Sequence, residues 1–192
     1  MKNRLINFLA IALIALSISS CGPKVSDEFK GKISEFENQW TSASTQRASL
    51  IETVQREIES NSMMHGIMVA KFDSLKASDP KQKKLNNELL TDLEGKMNNC
   101  KVHGENYNEI SNLLNNGGTN WDATTAAFAA LKSKIGKDEV EQAEAEKELE
   151  LHQQALASGL SELEQLKTKF ESIKASCAET CSAFDQTIKD LK

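Results

Sequence analysis

The fold is decided by the stretch LELHQQALASGLSELEQLKTKFESIKASCAETCSAFDQTIKDL, residues 149–191, in which an apolar residue returns at every seventh position. The seven positions of this seam are Leu149, Leu156, Leu163, Phe170, Cys177, Phe184 and Leu191. A seven-residue apolar repeat keeps one face of an α-helix apolar along its whole length. The stretch therefore predicts a single long helix, from about Asp138 to Leu191, that packs against other helices.

A second seam on this helix is mixed. Apolar residues fill it at Leu160, Cys181 and Ile188, whereas polar residues interrupt it at Gln153, Lys167 and Lys174. A two-stranded coiled coil requires apolar residues at both seams. The pattern therefore favours an imperfect helical bundle.

The chain upstream carries an apolar stripe from Phe29 to Leu75, with spacings of three or four residues. Ser26 or Asp27 can cap the first helix. Ser78-Asp79-Pro80 ends that helix, because the residue before a proline is disfavoured in the α conformation. The sequence thus predicts a first helix of about fifty residues followed by a reversal.

A second helical segment extends from Pro80 to Ile135. Asn115-Asn116-Gly117-Gly118 is a strong helix breaker, and Thr119 with Asp122 resembles a capping box that restarts the helix at about Asn120. Gly136 followed by Asp138 predicts the second reversal.

At roughly 1.5 Å per residue, each of the three segments is about 80 Å long. Equal lengths and two reversals predict an all-α fold, an elongated antiparallel three-helix bundle whose middle helix is interrupted near residues 115–120. We expect a monomer rather than a homodimer, because every seam then has a partner within one chain. In the alternative arrangement residues 120–191 form one helix, whose overhanging seam requires a second copy.

The first residues have a different character. Lys2 and Arg4 precede an apolar run from Leu5 to Ile18, and the small residues Ser19-Ser20 precede Cys21. This arrangement resembles the signal peptide and lipobox of bacterial lipoproteins. The resemblance implies cleavage before Cys21 and a covalent lipid, palmitate included, on that residue.

The same resemblance implies three divisions of the chain: a signal peptide at residues 1–20, a lipidated tether at 21–25 and a helical bundle at 26–192. Gly22, rather than Asp, after the lipidated cysteine implies the outer membrane of the cell envelope, on its periplasmic or surface side. Removing residues 1–20 deletes two basic residues and no acidic one, so 23 basic and 28 acidic residues become 21 and 28, a net charge of −7. Such a charge disfavours nucleic acid as a partner.

Three further cysteines, Cys100, Cys177 and Cys181, lie in the bundle segment. In an oxidising compartment Cys100 can form a disulfide with Cys177 or with Cys181, which leaves one thiol over. Each cysteine also occupies an apolar seam position, so packing in the core explains its placement by itself, and a disulfide is compatible with that packing.

A metal site is the further alternative, with His65, Met68, Cys177 and Cys181 as soft ligands. The turn positions place His65 near residue 93 of the second helix and near residue 181 of the third. Met97 and Cys100 lie in the same slab of the bundle.

These patterns predict a non-enzymatic structural, adaptor or binding protein that is held on a membrane by its lipid, with another envelope protein as a partner and no cofactor besides the lipid. The alternative is an envelope lipoprotein that binds a metal or a small ligand through the Met, His and Cys residues. The stretch from His65 to Phe72 is also similar, over about a dozen residues, to helical lipoproteins labelled viral A-type inclusion protein. That label reflects coiled-coil similarity and implies no function.

Overall fold

The computed structural model describes residues 24–79 and 85–191, apart from the side chain of Thr119. Three helices make up these segments: α1 (Asp27–Ser78), α2 (Asn87–Gly136) and α3 (Gln142–Asp190), with 52, 50 and 49 residues. Each helix packs against the other two. The predicted all-α antiparallel bundle of three helices of similar length is confirmed.

Several helix ends follow the local signals in the sequence, whereas α3 begins at Gln142, four residues after the predicted start at Asp138. Ser26 caps α1, since its Oγ accepts a hydrogen bond from the Phe29 N–H at 3.2 Å. Asn86 caps α2 in the same way. Asp138, with φ of 55°, takes the left-handed conformation in the reversal between α2 and α3. Pro80 lies outside the described residues.

The predicted interruption of the middle helix is a bend at residue 119, and α2 continues as one helix through Asn115–Gly118. The expected restart with Thr119 as a cap is therefore wrong. Arg47 of α1 explains part of this, because its Nη2 donates to the Leu114 carbonyl oxygen at 2.6 Å, next to the bend. A Cβ on Gly118 would lie 2.7 Å from the same Nη2, so the glycine leaves room for this contact.

The core divides into three clusters along the bundle. The tether-end cluster surrounds Phe36, Trp40 and Phe128, the middle cluster surrounds Tyr107 and Phe170, and the far-end cluster surrounds Met68, Cys100 and Phe184. Val25, the last residue of the predicted tether, is 0% exposed and belongs to the tether-end cluster.

The second seam of α3 differs from the prediction. Its buried or half-buried positions are His152, Gly159, Leu166 and Ile173, whereas Leu160 is 38% exposed. Near the far end the seam moves one residue later, to Cys181 and Ile188. An α-helix lags by about 20° per heptad behind a strict seven-residue repeat, so the residue that faces the core shifts along a straight helix.

Candidate functional site

The polar centre of the far half of the bundle is Asn61 of α1, which is 5% exposed. Its Nδ2 donates to the Cys100 carbonyl oxygen of α2 at 3.0 Å. Its Oδ1 accepts from the Cys177 thiol of α3 at 3.2 Å and from the Cys100 thiol at 3.6 Å. One side chain thus joins all three helices, and its amide is satisfied inside the core.

The three predicted cysteines come together around this amide. Cys100 is fully buried, while Cys177 and Cys181 are half-buried. Cys181 lies close enough to interact through its side chain with both other thiols. Burial, followed by the neighbouring thiols, raises the pKa of Cys100 to about 12 and that of Cys177 to about 11. Cys100 and Cys177 are therefore neutral thiols at neutral pH and not activated nucleophiles.

Gly104, one turn after Cys100, makes the Asn61 contact possible. A Cβ at Gly104 would lie 2.6 Å from Asn61 Nδ2, well inside contact distance. Tyr107 follows in the next turn and packs on the Phe170 ring, with 5.7 Å between ring centroids. Its buried hydroxyl has no hydrogen-bond partner in the part of the chain that the structure describes, and burial raises its pKa.

The predicted soft-ligand slab is assembled in part. Met68, Met97, Cys100 and Cys181 belong to one apolar cluster, whereas His65 is half-exposed outside that cluster. Within residues 24–79 and 85–191, no group of three or more His, Cys, Asp and Glu side chains is arranged to hold a metal ion. All three thiols are free in the structure, so their pairing stays a prediction.

A second polar feature lies in the tether half, where Trp40 stacks on Trp121 with ring centroids 4.5 Å apart. Each indole N–H donates a hydrogen bond to the other helix. Trp40 of α1 donates to Thr125 Oγ1 of α2 at 3.0 Å, and Trp121 of α2 donates to Ser44 Oγ of α1 at 2.9 Å. The Trp121 ring fills the space above Gly159, where a Cβ would lie 2.6 Å from the ring. The two tryptophans therefore anchor the core.

An open groove of about 690 Å³ runs between α1 and α3 beside the middle cluster. Leu50, Leu163 and Phe170 form its apolar part, and Ser49, Thr53 and Glu164 are among its polar residues. Within the groove, the Thr53 hydroxyl donates to the Ser49 carbonyl oxygen at 2.8 Å, and Lys167 Nζ lies 3.9 Å from Glu164 Oε2.

His152 is a buried polar residue that the sequence reasoning missed. It is 8% exposed and lies beside the paired rings of Phe36 and Phe128, at 6.1 and 5.7 Å between centroids. Burial lowers its pKa, and Glu148 partly offsets this. Its position three residues after Leu149 indicates burial, because residues three or four apart lie on the same face of a helix.

No protein-family profile matches this chain, and no curated protein or solved structure is significantly similar to it. None of the helices in the described ranges contains a stretch that is both long and apolar enough to cross a bilayer. Cys21 and the signal sequence at residues 1–20 lie outside the described residues.

Proposed function

We propose that the chain is a lipid-anchored lipoprotein of the bacterial cell envelope, in which Cys21 carries the lipid and the helical bundle acts as a non-enzymatic structural, adaptor or binding domain. The observation that carries this proposal is the sequence from Leu16 to Gly22, with its positive residues and apolar run upstream. Two or three acyl chains on one cysteine bind a membrane stably, at about 0.8 kcal/mol per buried CH₂.

The arrangement of the bundle supports an anchor at one end. Val25 is buried beside the start of α1, and Lys24 pairs with Glu141 at 3.1 Å. The Ser26 N–H also donates to Gln142 Oε1 at 3.0 Å. Residues 24–26 are thus held against the turn between α2 and α3. The Asn61 and cysteine group belongs to the opposite half of a bundle about 80 Å long, at roughly 1.5 Å per residue.

Polar residues that interrupt the apolar faces of the helices, here called seam residues, support a monomer. Arg47 donates to Leu114 O, Asn61 binds Cys100 and Cys177, and Lys96 donates to Thr187 Oγ1 at 2.9 Å. Lys174 pairs with Glu57 at 2.8 Å. These seam residues have partners in other helices of the same chain, so they do not require a second copy. Each bundle then presents its outer faces to an envelope partner.

The test is expression of the full chain in a bacterium with two membranes, in parallel with Cys21→Ser. The wild-type protein is expected to incorporate a clickable palmitate analogue and to stay in the membrane fraction after a high-salt wash. Cys21→Ser is expected to lose both properties, because it lacks the only thiol that the lipobox presents. Cys177→Ser is the matched control and should retain both.

Membrane retention and labelling of Cys21→Ser equal to wild type would contradict the proposal. The metal content of the same protein, purified without chelator, tests whether the bundle binds a metal ion. A stoichiometric metal that is lost in His65→Ala would favour a metal-handling lipoprotein instead.

A further inference from the structure

We infer that Cys100 and Cys181 are the pair that forms a disulfide between α2 and α3, and that Cys177 remains a thiol hydrogen-bonded to Asn61. The pairing rests on the contacts of the bundle alone. Its formation in the cell rests on the proposed function, which places the bundle in an oxidising compartment.

The register of the two helices distinguishes the candidates. Two hydrogen bonds join α2 to α3 on either side of Cys100: His103 Nε2 with Thr180 Oγ1 at 3.2 Å, and Lys96 Nζ with Thr187 Oγ1 at 2.9 Å. Both bonds belong to one antiparallel register, which places residue 183 level with Cys100. At roughly 1.5 Å per residue, Cys181 is about 3 Å from that level along the axis, whereas Cys177 is about 9 Å from it.

The surroundings of the thiols agree with this register. Cys181 packs against the far-end cluster that contains Cys100. Cys177 lies outside that cluster and donates its thiol to Asn61 Oδ1 at 3.2 Å, a shorter contact than the 3.6 Å of the Cys100 thiol to the same oxygen. Cys177 and Cys181 are four residues apart on one helix, where the direction of the side chains does not suit the dihedral of about 90° that a disulfide requires. Cys100 with Cys181 is the remaining pair that joins two helices at nearly one level.

The reaction is thiol–disulfide exchange with an external disulfide, RSSR. The thiolate of Cys181, which is half-buried, attacks one sulfur of RSSR and releases RS⁻. The Cys100 thiolate then attacks the Cys181 sulfur of the mixed disulfide and releases the second RS⁻. The two cysteine protons end on the two released thiolates, and the oxidant takes up two electrons as 2 RSH. Burial of Cys100, with its raised pKa, makes the second step slow.

The test uses the purified full chain treated with oxidised glutathione, then alkylated and mapped by mass spectrometry after proteolysis without reduction. The expected product is a peptide pair that joins Cys100 to Cys181, with Cys177 alkylated. Cys177→Ser is expected to give the same pair, and its melting temperature should rise by roughly 10 °C on oxidation, because the bond closes a long loop in the unfolded chain. Cys181→Ser should show no such rise.

A Cys100–Cys177 or Cys177–Cys181 peptide as the main product would overturn the inference, as would three alkylated thiols in the oxidised folded protein. The same mapping on protein alkylated inside cells separates the two proposals. If the pair forms in the purified protein but the cellular protein is reduced, the pairing stands and the envelope location fails. If Cys21→Ser shows no effect on membrane binding while the pair forms, the anchor alone is contradicted.

Discussion

The two ends of the bundle are stabilised by different kinds of core. The tether-end cluster is built from rings: Phe36 contacts Trp40 and Phe128 at 6.0 and 4.7 Å between centroids, and His152 lies beside them. The far-end cluster combines Met68, Leu93 and Cys100 with the rings of Phe72 and Phe184, which form no ring pair among the described residues, and it lies next to the amide of Asn61. Ring contacts add to the energy of burial, whereas a bridging amide accepts only one alignment of the helices.

That difference follows from what each contact requires. Aromatic pairs contribute about 0.5–1.5 kcal/mol beyond the burial of their area and tolerate several arrangements. A buried amide must keep its hydrogen bonds, because an unsatisfied polar group costs about 1–3 kcal/mol. A slip of one turn between α1 and α2 would remove the bond from Asn61 to Cys100. We therefore expect the tether end to contribute most to stability and the far end to set the register.

The largest effect is expected at the tether end. Phe36→Ala should lower the free energy of unfolding by about 3–5 kcal/mol, because it leaves a cavity and removes the ring contacts. Phe184→Ala, at an equally buried far-end position, is the matched comparison and should cost about 1–2 kcal/mol less. Urea unfolding followed by circular dichroism measures both. Equal losses would mean that burial alone, and not ring contact, distinguishes the two ends.

An intermediate effect is expected at the Asn61 contact. Gly104→Ala should destabilise the protein by about 1–3 kcal/mol, because its Cβ would lie 2.6 Å from the Asn61 amide nitrogen. In the Asn61→Ala background the same substitution should stabilise by up to about 1 kcal/mol through helix propensity. Gly95→Ala, also in α2 but with nothing within 4 Å of its Cβ, is the control and should stabilise in both backgrounds.

The measurement is a double-mutant cycle on the free energy of unfolding. Suppose instead that Gly104→Ala stabilises the wild-type protein as much as Gly95→Ala does. The Asn61 side chain then does not lie against Gly104, and Asn61 does not set the register of the helices.

The smallest effect concerns pH at the tether end. The pKa of His152 is lowered by burial in the folded state, while the unfolded chain has the ordinary value of about 6.5. As the pH falls below that value the unfolded state takes up the proton first, so stability decreases until the pH passes the folded pKa. His152→Leu should make the melting temperature less dependent on pH between about 7.5 and 5.5.

A second histidine with a lowered pKa lies in the far half. Burial lowers the pKa of His103, whose ring is hydrogen-bonded to Thr180. His103→Gln should therefore remove a separate part of the same pH dependence. If neither substitution changes the slope of melting temperature against pH, the histidines do not cause the acid sensitivity at either end.

Much of the fold could be predicted from local signals, because these act within a few residues. The Ser26 cap, the end of α1 at Ser78 and the reversal at Asp138 follow from capping and turn preferences. The register was also predictable, since equal helices with short turns align themselves. The prediction placed His65 opposite residue 181, an offset of 116 residues, and Asn61 bonds Cys177 with that same offset.

The site was predictable only in part. The three cysteines and Met68 stand at seam positions, so their approach to one another followed from periodicity. Asn61 interrupts the apolar face of α1, but its partners depend on the Gly104 contact, which sequence spacing does not show. His152 was missed because the second seam was assigned four residues after Leu149 rather than three.

By itself, the sequence determined three long helices of similar length and the main apolar seam of α3, because these depend on propensities and periodicity along one chain. Only the tertiary structure decided that α2 continues through Gly117 and Gly118 and that Asn61 occupies the centre of the far half. Two glycines cost a helix about 1 kcal/mol each, and packing of Leu114 and Phe128 on either side of the bend, with the bond from Arg47, offsets that cost. Such compensation arises between helices, so no pattern within one helix reveals it.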